Sequence, residues 1–120
     1  MPNMIDSVHL TGDDTNVFNG RIGQRPPEWA RYCRVQCVAT NYDFVYSATL
    51  GGDELARSSA AHLHGTVDIS GANWPAGRYI GKEITDRNRA NFEVLVNANL
   101  TTGEAMIHLE YLDHKPRASE

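Results

Sequence analysis

From Tyr32 onward, apolar and polar residues alternate with a period close to two, the mark of strands with one buried face rather than of helices. Cys33, Val35, Cys37 and Ala39 fall on one side, with Arg34, Gln36 and Val38 opposite. Phe44, Tyr46, Ala48 and Leu50 alternate with Val45, Ser47 and Thr49, and Gly51-Gly52-Asp53 then turns the chain. Leu63, Gly65, Val67 and Ile69 share a face, with His62, His64, Thr66 and Asp68 across from them. A strand is expected over residues 78–84, and Asp86-Arg87-Asn88-Arg89 turns again. Phe92, Val94, Val96, Ala98 and Leu100 form the cleanest stripe, and Thr101-Thr102-Gly103-Glu104 leads into Ala105, Ile107, Leu109 and Tyr111. Those last two strands are expected to form a hairpin.

Other segments depart from this period. Residues 53–62 are rich in helix formers with an acidic start, and fit a two-turn helix as well as an edge strand. The first thirty residues carry turn chemistry in Thr11-Gly12-Asp13-Asp14-Thr15-Asn16 and extended chemistry in Gln24-Arg25-Pro26-Pro27, which reads as an arm or as a strand with long loops. Pro27-Glu28-Trp29-Ala30 suits one helical turn. Short strands divided by Gly, Asn and Asp turns predict an all-β fold, an antiparallel β-sandwich or jelly-roll-like barrel with an extended N-terminal arm and one short helix. The expected division is an arm over 1–31, a β-sandwich domain over 32–113 and a polar tail over 114–120.

Composition narrows the function classes. The 120 residues carry a net charge of −4, the wrong sign for a protein that neutralises phosphates, so no direct nucleic-acid partner is expected. No apolar run is long enough for a membrane span, and Met1-Pro2-Asn3-Met4-Ile5-Asp6 lacks a signal peptide's basic start, which argues against membrane insertion and secretion. Leu, Ile, Val and Phe make up about 21% of the chain, which predicts a thin core. Nine of the eleven cations are Arg, a bias shared by protein interfaces and by GC-rich genomes. Interface candidates are Trp29, Trp74, Arg78, Arg87 and Arg89.

Most candidate chemistries lack the residue pattern they require. Cys33 and Cys37, at i and i+4 on a strand, stand about 13 Å apart, too far for a mutual disulfide, and read as small buried hydrophobes without the C-x₂-C spacing of zinc ribbons. Asp13-Asp14-Thr15-Asn16 lacks the EF-hand ligand order, Gly20-Arg21-Ile22-Gly23 lacks a phosphate-cradling pattern, and no G-x-S-x-G is present. His62-Leu63-His64 is the sharpest feature, because imidazoles at i and i+2 of a strand can chelate one metal. Together with Gly71 and Pro75-Ala76-Gly77-Arg78-Tyr79-Ile80 it resembles the cupin motifs, which would imply a small metal-dependent enzyme. Ile80 stands where that family places a histidine, Asp68 where it places a glutamate and Ala56 where it places a glycine. Trp74, in a loop before a proline, suits sugar stacking in a carbohydrate-binding module, or docking into a neighbouring subunit.

Trp74-Pro75-Ala76-Gly77-Arg78-Tyr79, set among alternating strands, resembles a turn in small β-sandwich structural proteins of tailed bacteriophages, a likeness spanning roughly residues 42–113. It implies a non-enzymatic decoration or cement subunit of a virion. Such a subunit would contact copies of itself and a shell of major capsid protein, with no cofactor, metal or catalytic residue. No functional residue carries over from that family. The metal-dependent enzyme using His62 and His64, and the sugar-binding module, are the alternatives.

Overall fold

A computed structural model of the protein describes residues 3–10, 17–40, 44–60, 62–63, 78–98 and 104–117; the side chains of 58–60, 62–63 and 93–98 lie outside the described set. The strands are β1 (Asn3–Leu10), β2 (Tyr32–Ala39), β3 (Phe44–Leu50), β4 (Asp53–Ala60), β5 (His62–Leu63), β6 (Ile80–Glu83), β7 (Phe92–Ala98) and β8 (Ala105–Leu112), with one 3-10 turn at Ile22–Gln24. They form two sheets. In the larger, β1, β8 and β2 lie side by side and antiparallel. The far edge of β2 is shared by antiparallel β6 and the two-residue parallel β5. The smaller sheet is antiparallel in the order β4-β3-β7. Among the described residues no barrel closes.

The alternation of β2 and β3 translates directly into a core. Cys33, Val35, Cys37 and Ala39 of β2, Phe44, Tyr46, Ala48 and Leu50 of β3, and Ala105, Ile107, Leu109 and Tyr111 of β8 belong to one buried cluster, so the two sheets face each other across it. Phe92 of β7 meets Phe18 edge-on at 5.9 Å and Tyr111 of the opposite sheet at 6.5 Å. Each such side chain contributes roughly 1.5–3 kcal/mol by leaving water. The β3–β4 hairpin turns through Gly51 (φ 56°) and Gly52 (φ 87°), two successive positive φ angles of the kind that match the right-handed twist of the flanking strands.

One expectation is overturned and three are narrowed. Residues 53–60 are a strand, not a helix: the tight glycine turn pairs Leu50 with Asp53 and returns the chain along β3, burying Ala56. Tertiary pairing here overrides helix propensity. The hairpin between the last two strands does not form, because β7 pairs with β3 while β8 lies between β1 and β2 in the other sheet. The chain crosses between sheets there, which sets the stripe of β8 opposite the smaller sheet. The N-terminal segment is the strand alternative rather than an arm: β1 pairs with β8 along its whole length, and Leu10, Val17, Phe18 and Ala30 are buried. The strand expected over 78–84 is Ile80–Glu83, and the turn at 27–30 is closed by a single bond from Ala30 N to Pro27 O (3.0 Å). Of the Leu63 stripe only the backbone of β5 is described.

Candidate functional site

The β1 edge is built from its own sequence and one distant turn. Asp6 breaks the alternation of β1 by pointing a carboxylate inward, where Arg21 meets it. Arg21 Nε donates to both Asp6 oxygens (3.1 Å each) and Nη2 to Oδ1 (2.7 Å), while Gly23 N donates to Oδ2 (3.1 Å). The Asp6 side chain is 5% exposed and that of Arg21 45%. Glycine at 23 follows from this packing: a β-carbon there would stand 2.9 Å from Asp6 Oδ2 and 3.0 Å from Leu109 Cδ2. The Tyr111 hydroxyl closes the arrangement by donating to Gly23 O (2.6 Å).

Among the described residues, Arg21 also identifies which backbone groups of β1 point away from β8. Its Nη2 donates to Ser7 O at 3.2 Å, so Ser7 turns its backbone polar groups away from β8. In an antiparallel ladder successive residues alternate in direction, so Asn3, Ile5 and His9 do the same. Ile5 (44% exposed) and Ile22 (66%) are the exposed large hydrophobics among the described residues, one on this edge and one on the turn beside it. The register of β1 on β8 runs unbroken through eight pairs. At the edge of the smaller sheet, β4 has two register shifts against β3 and presents Asp53, Glu54 and Arg57 to solvent.

The outward face of the larger sheet holds a buried polar layer. Arg34 Nε donates to Glu110 Oε1 (2.7 Å), with Nη2 at 2.6 Å from the same oxygen, and Asn3 Nδ2 reaches Glu110 Oε2 (3.2 Å). The Arg34 guanidinium lies 4.0 Å from the centre of the Tyr79 ring. Ser7 Oγ and His108 Nδ1 are 2.8 Å apart. Burial pushes the His108 imidazole down to about 4, an effect that Arg34 reinforces and Glu110 opposes. A Ser-His pair with an acid nearby resembles a hydrolytic triad, but the Glu110 carboxylate is bonded to Arg34 and Asn3, and an imidazole with so low a pKa is a weak base.

Elsewhere the chemistry is sparse. Tyr32, Tyr79, Arg34, Lys115 and Arg117 line a cleft of about 230 Å³, below the roughly 300–1,000 Å³ usual for a ligand site, and a shallow one of about 450 Å³ lies among the polar residues Asp53, Lys82, Glu83, Thr85, Arg87 and Asn88 rather than the apolar lining such sites favour. Cys33 and Cys37 are free and buried, and burial pushes both thiols up to about 12, far from a reactive thiolate. Among the described residues no three His, Cys, Asp or Glu side chains cluster as metal ligands.

The sequence-predicted residues scatter. His62 sits in β5, its backbone paired with Val38, and β2 separates β5 from the His108 strand. The His62 side chain, all of His64 and all of Trp74 lie outside the described residues. Trp29 is half-buried and packs against the core. Arg89 is also engaged within the chain, donating to Pro27 O (2.7 Å) and Ala30 O (2.6 Å). Arg78 and Arg87 are exposed. The edge residues Ile5, Ser7, Arg21 and Ile22 were legible only as a strand-like run beside a turn; the signal that marks them is an eight-residue run without Lys or Pro, whose single acid has its cation fifteen residues on. No protein-family model, curated protein or solved structure matches this chain.

Proposed function

We propose that this chain is a non-enzymatic structural subunit of a bacteriophage particle, an antiparallel β-sandwich that decorates or cements a shell through contacts with other copies and with the major capsid protein. The contrast between the two edges carries the reading. Monomeric β proteins blunt their edges with charge, proline or bulges, because an exposed row of backbone N–H and C=O groups recruits another strand. Here β4 is blunted by irregular register and exposed charge, while β1 is long, regular and flanked by exposed Ile5 and Ile22. A thin core suits a subunit completed by neighbours.

Size-exclusion chromatography with light scattering, run from micromolar to millimolar protein, tests the reading. A mass rising above the 13.3 kDa of one chain is expected. A constant monomer mass across that range overturns it.

A further inference from the structure

We infer that the occupant of the β1 edge is the β1 strand of a second copy, paired antiparallel about a twofold axis so that two five-stranded sheets continue as one. The inference rests on the assembly reading and adds to it the surface, the partner and the geometry.

A twofold antiparallel contact sets each residue opposite the one equally far from the axis on the partner strand, so uncompensated like charges along the edge come to face one another. The chain as a whole is acidic, at −4, so a self-contact is favoured where acids are few or paired. Along β1 the acid is Asp6, and Arg21 neutralises it within the chain. The outward-turned residues are Asn3, Ile5, Ser7 and His9, with the exposed acid Glu104 beside His9 at 3.6 Å at the strand's end. On β4, by contrast, the register is irregular and Asp53, Glu54 and Arg57 stand exposed, with Arg57 Nε bonded to Glu54 Oε2 (2.9 Å), so an added strand would have to desolvate charge along that edge. Regularity points the same way: an unbroken ladder keeps the backbone groups of Asn3, Ile5, Ser7 and His9 evenly spaced for an identical strand. Ile5 and Ile22 then lose solvent at the seam. One backbone group on the edge is already engaged, the Ser7 carbonyl. Arg21 keeps its two Nε bonds to Asp6 if that contact opens, and Ser7 O accepts an N–H from the partner strand instead.

Amide hydrogen exchange read by NMR on the full chain, at low and high concentration, tests this. In concentrated samples the amides of Ile5, Ser7 and His9 gain protection, whereas those of Asp6 and Val8, bonded to β8, are protected at every concentration. Ile5→Lys raises the dissociation constant by about tenfold or more by placing two cations at the seam. Ile22→Lys, on a turn outside every strand pair, weakens association several-fold and guards against a folding defect in the first variant. Self-association without alternating protection on β1, or with its strength unchanged in both variants, overturns the edge pairing and leaves the assembly reading standing. A monomer at all concentrations overturns both.

Discussion

Gly51 lies directly against the main chain of Asn88: a β-carbon at position 51 would stand 2.5 Å from the Asn88 carbonyl oxygen. Gly51 N donates to Asn91 O (3.1 Å) on the same turn. Asn88 in turn spreads its side chain between elements, accepting from Thr85 N (2.8 Å) and donating to Glu83 O (3.0 Å) and Asp53 Oδ2 (3.3 Å). The tip of the β3–β4 hairpin is thus seated on the turn between β6 and β7, one strand from each sheet.

Gly51→Ala should therefore destabilise the fold by about 2–4 kcal/mol, the sum of a positive-φ penalty and a clash with backbone that cannot rotate away. Gly52→Ala meets open space and should cost only the φ penalty, about 1 kcal/mol. Urea denaturation of the two variants side by side measures the difference. Equal losses would show that the close approach carries no energy.

Asp6→Ala removes the acceptor of the buried Gly23 N–H together with the anchor of Arg21, and should cost about 2–3 kcal/mol. Asp6→Asn keeps an acceptor of the same shape and should lose about half as much. The same denaturation experiment reads both, and an Asn variant as weak as the Ala variant would mean that charge, not hydrogen bonding, holds the turn.

How much of this was open to inspection of the sequence depends on how local its cause was. The Phe44-Tyr46-Ala48-Leu50 face and its glycine turn are visible because strand and turn lie within ten residues. The inward Asp6 is not, since its place depends on a cation from another segment. Arg34 and Gln36, on the polar side of an alternating strand, read as solvent-facing yet are buried, because His108 and Glu110 pair beside them from β8. Periodicity shows which residues share a face; it does not show what covers the second face. For the same reason the Phe92 stripe and the Ile107 stripe look like a hairpin, and only the long-range pairing of β8 with β1 and β2 reveals a crossing between sheets.

His108 gives the fold a dependence on acid. Its imidazole titrates at about 4 in the folded protein against 6.5 for an ordinary histidine. Between those values the unfolded chain binds the extra proton, so stability falls as the pH drops from about 6.5 to about 4 and levels off below. The full loss is on the order of 3 kcal/mol. Thermal melts across that range, compared with His108→Gln, check it: the variant should lose this part of the slope. Arg34 and Glu110, which face the ring from β2 and from its own strand, remain in both proteins.

The place of β8 between β1 and β2 bears on how the chain is made. Ser7 and His108 touch, yet 101 residues separate them. At about 5–20 residues per second, β8 leaves the ribosome some 5–20 s after β1. Through that interval β1 has no neighbour within its own chain and the facing edge of β2 stands open. An unpaired strand edge held open for that long is the kind of surface that ribosome-bound chaperones are expected to shield. A stalled nascent chain would leave bare the edge of β1 that β8 covers in the folded chain.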